Sequence, residues 1–249
     1  MAILLLTYGA LKGQRRCWGG LQIKEAFSNW GELFSLSING ALMLLSEFIA
    51  FEILTLSSAR FGTEVLAAQS ICSTLATLAF QVPFATSVAV STRLSFLIGG
   101  RKEKESKTVI KISYYMSLVL GITNFLLLFF LKMNIISLFT SDKRVAKNAA
   151  GILAILALNQ LYDCPNIVGA GCLRAQGRQY IGGRLNLVAY YLIAIPLAMY
   201  FGFYLDFEVK GLWTGLGIGI VFLALSEFYF VHNVSWNKVF DAASKRNGI

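Results

Sequence analysis

The chain has 249 residues, of which 56% are hydrophobic and 14% charged, with a mean hydropathy of +0.64 and a net charge of +9. This composition leaves too little polar surface for a soluble globular protein and indicates a polytopic membrane protein. Four cysteines without CxxC spacing and a single histidine argue against a disulfide or zinc framework. The basic residues fall in alternate predicted loops rather than on one stripe, which argues against a nucleic-acid interface.

Six long apolar stretches each meet the length of about 20 residues that a membrane-spanning helix requires. In chain order they are residues 33–57, 65–98, 112–131, 145–173, 185–205 and 211–231. Their apolar residues are continuous and do not alternate with a period of two, so we predict helices and not a β-barrel. The predicted fold is therefore all-α, a polytopic bundle of six transmembrane helices.

Three segments follow from this pattern. Residues 1–31 are interpreted as the stump of a preceding helix and a basic loop, residues 32–232 as the six-helix lobe, and residues 233–249 as a tail. Most of the 22 Lys and Arg residues lie before the first stretch, around the second and fourth connections, and in the tail. Because cytoplasmic loops carry an excess of Lys and Arg, we expect both ends of the lobe in the cytoplasm.

Three acidic residues lie inside apolar stretches: Glu47 and Glu52 in the first and Asp163 in the fourth. A charge at the centre of a spanning helix costs about 2.5–3.5 kcal/mol, so such residues usually line a water-filled path or relay protons. Removal from water favours the neutral form of a carboxyl group, which could then exchange a proton and release an organic cation. The alternative is a protonated acid that only joins helices by hydrogen bonds.

The spacing of the first two acids limits what they can do together. Glu47 and Glu52 are separated by about 140° around a helix axis, so both cannot point into one narrow groove. At least one of them is expected to face the neighbouring helices of its own bundle.

The fourth stretch also carries Pro165, Gly169 and Gly171 shortly after Asp163. A proline inside a helix frees the carbonyl four residues earlier, here that of Leu161, for a cation, a water or a polar substrate. The alternative is a packing kink, in which the small residues allow close approach of helices. Both interpretations stay open at this stage.

Glu227 and the four tryptophans lie near predicted span ends, where we expect them at the membrane interface. Glu227 lies close to the predicted cytoplasmic end of the last stretch, so we expect its carboxylate to reach the interface. Four tryptophans near predicted span ends are typical of an aromatic belt at the membrane surface: Trp18, Trp30, Trp213 and Trp236.

Short motifs along the chain resemble those of one transporter family. Residues 47–52, EFIAFE, resemble the E-x-x-x-[FY]-E signature in the seventh helix of eukaryotic multidrug and toxic compound extrusion (MATE) transporters. Further resemblances follow in order along the chain. Residues 68–70, 82–83 and 91–93 resemble the eighth helix of that family, and residues 138–142 resemble the loop after its ninth. Residues 171–174, with Gly177 and Gln179, resemble its G-x-L-R-G-x-G-x-Q turn; Asn186, Tyr190, Tyr191 and Pro196 resemble its eleventh helix, and residues 211–215 its twelfth. The resemblance covers about residues 32–232 and is most similar to fungal members.

The resemblance implies a fold and a site. MATE proteins have twelve helices in two six-helix lobes, and this chain resembles only the C-terminal lobe. It implies that Glu47 and Asp163 bind the proton and the cation, with Glu52 in support, and that Pro165, Gly169 and Gly171 provide flexibility for alternating access. One departure concerns the acids: Thr74 stands where some animal members carry another glutamate.

The resulting hypothesis is the C-terminal lobe of a cation-coupled antiporter that exports organic cations or xenobiotics, not an enzyme. The coupling ion is expected to be H+, with Na+ as the alternative, and no other cofactor is expected. The expected partners are a small organic cation or drug-like substrate, membrane lipid, and an N-terminal lobe or a second copy, in the plasma or vacuolar membrane. Two alternatives stay open: a truncated fragment without transport activity, or an unrelated polytopic binding or receptor-like protein.

Overall fold

The computed structural model describes residues 30–246 of the chain. The chain divides into two compact units, residues 1–37 and 38–249, and the described part of the first unit is only the opening of one helix. The predicted helix stump and basic loop at residues 1–31, including Trp18, therefore lie almost wholly outside the described residues. Within residues 30–246 the structure is helical and contains no strand, so the predicted fold class is confirmed.

Eight helices make up the described part of the chain. They are α1 Trp30–Ser58, α2 Thr63–Gly99, α3 Glu103–Phe130, α4 Lys132–Ser137, α5 Lys143–Ala175, α6 Gln179–Tyr204, α7 Glu208–His232 and α8 Trp236–Arg246. Six of them, all except α4 and α8, are long and apolar enough to cross a membrane. Each of the six predicted stretches corresponds to one of these helices.

Helix α5 lies at the centre of the second unit, where it packs against α2, α3 and α7. Its N-terminus is capped by Asp142, whose Oδ1 accepts hydrogen bonds from the backbone N–H groups of Arg144 (2.7 Å) and Val145 (3.4 Å). The cap satisfies two of the four amide groups that a helix start leaves without partners. Pro165 does not end the helix, which continues to Ala175.

Small residues let these helices approach closely. A Cβ atom on Gly121 of α3 would lie 2.8 Å from the carbonyl oxygen of Gln160 on α5, and one on Gly215 of α7 would lie 2.7 Å from the carbonyl carbon of Leu197 on α6. Both distances are shorter than van der Waals contact, so only glycine fits at these crossings. Close backbone packing of this kind is typical of helices associating in lipid.

A buried hydrogen-bond network joins α2, α5 and α7 around Trp213. The expectation of an interfacial belt position was wrong for Trp213, whose side chain is only 2% exposed. Its Nε1 donates to Oε1 of Gln69 (2.7 Å), and its backbone oxygen accepts from Nδ2 of Asn159 (3.3 Å). A buried indole N–H requires such a partner, and the glutamine on α2 supplies it.

Helix α6 is not a uniform α-helix. Its first part, Gln179–Leu187, is α-helical, Val188–Ala194 is a π-helix, Ile195–Met199 is α-helical and Tyr200–Tyr204 is again a π-helix. Pro196 contributes to this irregularity because it has no N–H to donate to the preceding turn. The wider π turns change the direction of the side chains, and Tyr190 in the first of them is completely buried.

The segment predicted as a tail contains α8, which is amphipathic. Its buried side chains Trp236, Val239, Phe240 and Ala243 belong to an apolar cluster with residues of α2 and α5. Arg101, just after α2, pairs with Asp241 on the outer face of α8 at 3.3 Å. The belt interpretation is therefore wrong for Trp236 too, which is buried in that cluster.

Candidate functional site

Glu47 on α1 and Asp163 on α5 lie close enough for their carboxylates to interact electrostatically. The neighbours of Glu47 one turn away, Met43 and Ala50, are both buried, so this side of α1 faces the bundle. The Oδ1 atom of Asp163 is buried without a hydrogen-bond partner, and the side chain of Asn166 lies beside the carboxylate. The structure therefore brings two of the three predicted acids together.

Glu52 lies apart from that pair. Its side chain is exposed on a face of α1 that also carries Phe48 (61% exposed) and Leu56 (72% exposed), one turn before and one turn after it. This position agrees with the angle of about 140° that separates Glu47 from Glu52 around the helix. The supporting role that the resemblance implied for Glu52 stays a prediction.

A further acid, Glu227 on α7, is completely buried, with 0% of its surface exposed. The expectation that it reaches the interface was wrong, because this face of α7 packs into the bundle. Neither of its carboxylate oxygens has a hydrogen-bond partner of ordinary geometry, although the backbone N–H of Ala170 lies nearby. Glu227 is thus a functional candidate that sequence reasoning dismissed.

The sequence does contain a signal for this burial, but a weak one. Glu227 continues a stripe of buried residues at helical spacing, Leu216, Ile220, Leu223 and Val231. The outer face of α7 is equally apolar, with Leu225 67% exposed. Because apolar residues surround the helix, periodicity alone does not distinguish the buried face from the exposed one.

Glu47 and Glu227 line one cavity of about 30 Å³, which is large enough for a water molecule. The polar side chains of Asn166, Arg174 and Asn186 also line it, and the remaining wall is apolar. Helices α1, α2, α5, α6 and α7 all contribute to this cavity. The cavity is therefore lined by an acid of the first membrane-spanning helix, Glu47, and an acid of the last, Glu227.

Arg174, near the end of α5, supplies positive charge to this space. Its Nη2 donates to Oγ of Ser87 on α2 (2.9 Å), and Ser87 in turn donates to the carbonyl oxygen of Ile167 (2.7 Å). The guanidinium attracts both Glu227 and Glu47, yet within residues 30–246 it forms no ion pair of 4 Å or less. Arg174 is therefore held by a hydrogen bond to α2 and attracts both acids without forming an ion pair with either.

Two tyrosine hydroxyl groups complete the site. Tyr190 is fully buried, its hydroxyl has no hydrogen-bond partner, and it lies within electrostatic reach of Glu47, Asp163 and Glu227. The hydroxyl of Tyr114 on α3 is also unpartnered and lies near Glu227. We call the set of residues Glu47, Asp163, Arg174, Tyr190 and Glu227 the acid cluster.

The predicted flexible residues of α5 lie against this cluster. A Cβ atom on Gly169 would lie 2.8 Å from Oε2 of Glu227 and 2.9 Å from the hydroxyl of Tyr114, and one on Gly171 would lie 2.8 Å from the backbone oxygen of Ser87. Both glycines thus make room for neighbouring helices, as the packing interpretation expected. Flexibility at Pro165, Gly169 and Gly171 stays a prediction.

Comparison with known proteins gives a consistent result. The MatE family model matches residues 41–200. The chain is 36% identical over 239 residues to the uncharacterized transporter YDR338C of Saccharomyces cerevisiae, covering 96% of this chain and 34% of that protein. It is 29% identical over 239 residues to multidrug and toxin extrusion protein 1 of Homo sapiens, covering 96% of this chain and 42% of that protein.

A solved structure agrees with these matches. The crystal structure of the eukaryotic MATE transporter AtDTX14 superposes with a TM-score of 0.85 and 27% sequence identity, covering 98% of this chain and 54% of that one. The chain therefore spans between about a third and about half of the length of the relatives that it matches.

Proposed function

Because the chain belongs to the MatE family, we propose that it is the C-terminal half of an antiporter that exchanges protons for organic cations. The family relatives are transporters and not enzymes, and the chain is an integral, multi-pass membrane protein. The human relative is named for multidrug and toxin extrusion, which supports drug-like organic cations as the substrate class. The chain spans less than half of that protein, and the exchange that we propose also involves a second six-helix lobe or a second copy.

The observation that carries this proposal is the approach of Glu47 to Asp163. Two nearby carboxylates that share little water repel each other, and one bound proton or one bound cation relieves that repulsion. Even at 8 Å and an effective dielectric constant of about 20, two unit charges interact by about 2 kcal/mol, which is about thirtyfold in a binding constant. A proton and an organic cation therefore compete for the same pair, as exchange requires.

The residues that line the cavity favour an organic cation as the ligand that competes with the proton. Phe80 and Phe84 on α2 line the cavity together with Glu47, and their rings stack with centroids 5.2 Å apart. Aromatic faces attract cations through the ring quadrupole, by about 0.5–2 kcal/mol depending on desolvation. A carboxylate beside two aromatic rings matches a ligand that combines one positive charge with apolar surface.

The test compares the growth of cells that express the chain in the presence of a toxic organic cation. Wild type and Glu208→Gln, an exposed acid on α7, are expected to confer equal resistance, while Glu47→Gln and Asp163→Asn confer less. The glutamine and asparagine variants keep the side-chain shape but remove the negative charge. Equal resistance of all four proteins would overturn the acid-centred mechanism. Orientation in the plasma or vacuolar membrane, with both ends cytoplasmic, belongs to the same proposal.

A further inference from the structure

We propose that Glu227 is a second proton-binding site, through which a proton passes between the cavity at Glu47 and the groove at Tyr114. Its part in exchange rests on the proposed function above, whereas proton binding by Glu227 does not. The proposal depends on the burial of Glu227, the charge balance of the acid cluster, and two neighbouring cavities.

The burial of Glu227 is difficult to explain as a purely structural feature. The carboxyl group has no exposed surface and its oxygens have no hydrogen-bond partner of ordinary geometry, with only the backbone N–H of Ala170 nearby. A buried ionised carboxylate requires donors or a paired cation, and the nearest guanidinium, that of Arg174, donates its hydrogen bond to Ser87 instead. A buried polar group without partners requires an explanation, and proton exchange provides one.

The charges around Glu227 do not balance among the described residues. The acid cluster contains three carboxyl groups, those of Glu47, Asp163 and Glu227, and one guanidinium, which attracts Glu47 and Glu227. Neutrality therefore needs two further positive charges, either two protons or one proton and one cation. The other titratable groups that face Glu227 come from three helices and are neutral when protonated: Tyr114 on α3, Cys172 on α5 and Tyr190 on α6.

On one side, Glu227 lies in the wall of the cavity that it shares with Glu47. Its side chain has no accessible surface, so in the proposed transfer the Glu227 carboxyl group first turns toward this space, and one water molecule there then contacts both acids. The O–H bond of the Glu47 carboxyl breaks as the water gains a proton, and the water gives another of its protons to a Glu227 oxygen. One O–H bond forms for each that breaks, so the total charge of the two acids does not change.

On the other side, Glu227 is close to Tyr114, because Oε2 of Glu227 and the hydroxyl group of Tyr114 both lie against Gly169. Tyr114 also lines a groove of about 580 Å³ formed by the start of α3 and the end of α7, together with Lys107, Lys111 and His232. Its hydroxyl group is buried against Gly169 beside Glu227, so the side chain of Tyr114 connects the buried acid with the groove, and a small displacement of the ring exposes the hydroxyl group to it. The basic residues at this end are those that predict a cytoplasmic side, so the route leads from Glu47 toward the cytoplasm.

The first experiment measures the carboxyl C=O stretching bands of the purified chain in lipid nanodiscs by infrared difference spectroscopy, from about pH 4 to about pH 10. Wild type and Glu208→Gln are expected to show a titrating carboxyl band that is missing in Glu227→Gln. Identical titrating bands in all three proteins would overturn the proposal. The melting temperature of each variant identifies loss of folding.

A second variant keeps the proposal testable even where Glu227→Gln folds poorly. Tyr114→Phe retains the ring contacts with Phe228 and His232 and removes only the hydroxyl. It is expected to shift the Glu227 band and to slow its exchange with deuterium by about tenfold or more. An unchanged band with an unchanged exchange rate would contradict the route through Tyr114.

The infrared spectra and the resistance assay together distinguish failure of the second proton site from failure of the antiporter mechanism. Glu47→Gln is expected to abolish resistance to the organic cation while the Glu227 band remains. A Glu227 band without any effect of Glu47→Gln on resistance would refute the antiporter mechanism and leave the proton site intact. Loss of resistance in Glu47→Gln without a Glu227 band would refute only the second site.

Discussion

Glu47 and Glu227 line the same cavity although they belong to the first and the last membrane-spanning helices of the described chain. Helix α5 contributes Asn166 and Arg174 to the same wall. The acid cluster is therefore a property of the assembled helices and not of any one segment.

The pH dependence of cation binding tests the Glu47–Asp163 pair. A proton that occupies the pair excludes the cation, so the affinity of the purified chain for tetraphenylphosphonium is expected to fall as the pH is lowered. The loss reaches about tenfold per pH unit where one proton displaces one cation. Calorimetric titration at several pH values measures it. The double variant Glu47→Gln/Asp163→Asn is expected to bind weakly with little pH dependence, and a steep dependence in that variant would contradict competition at the pair.

Glu52→Gln tests the boundary of the acid cluster. Glu52 is exposed and belongs to a face of α1 that does not line the cavity. Its neutralisation is expected to change the free energy of unfolding by less than about 0.5 kcal/mol and to leave tetraphenylphosphonium affinity unchanged. Glu47→Gln on the same helix is the comparison, with a large loss of affinity. Similar losses in both variants would show that Glu52 takes part in cation binding.

Gly169→Ala tests the packing between α5 and the cluster. The added Cβ would meet Oε2 of Glu227 and the hydroxyl of Tyr114 within 3 Å, so we expect a loss of about 1–3 kcal/mol in the free energy of unfolding. The control is Gly40→Ala on α1, where no atom lies within 4 Å of the new Cβ. That change is expected to be neutral or to stabilise the helix by up to about 1 kcal/mol. Unfolding in detergent measures both, and equal effects would contradict the packing argument.

Gln69→Met tests the buried network around Trp213. Methionine has a similar volume but cannot accept the hydrogen bond from the indole Nε1, which then remains buried without a partner. The expected loss is about 1–3 kcal/mol in the free energy of unfolding. Thr74→Val, at an exposed position of the same helix, is the control and is expected to change stability little. A neutral Gln69→Met would show that the network contributes no net stability.

Local properties of the sequence determined the fold class and the membrane spans. Each of the six apolar stretches identifies a helix by itself, because the bilayer requires a minimum apolar length and internal satisfaction of the backbone. The helical angle between Glu47 and Glu52 likewise predicted that the two side chains diverge. Both results depend only on residues that are near each other in the chain.

Only the tertiary structure decided which face of each helix is covered. Glu227 and Trp213 lie on α7, whose apolar residues surround the axis, so its buried side is determined by contact with α5 and α6 and not by its own periodicity. The electrostatic interaction of Glu47 with Asp163 likewise depends on the tertiary structure, since the two acids belong to different helices that are far apart in the chain. In a membrane protein the surface that faces lipid is as apolar as the core. The difference in polarity that distinguishes exposed from buried residues in a soluble protein is therefore missing.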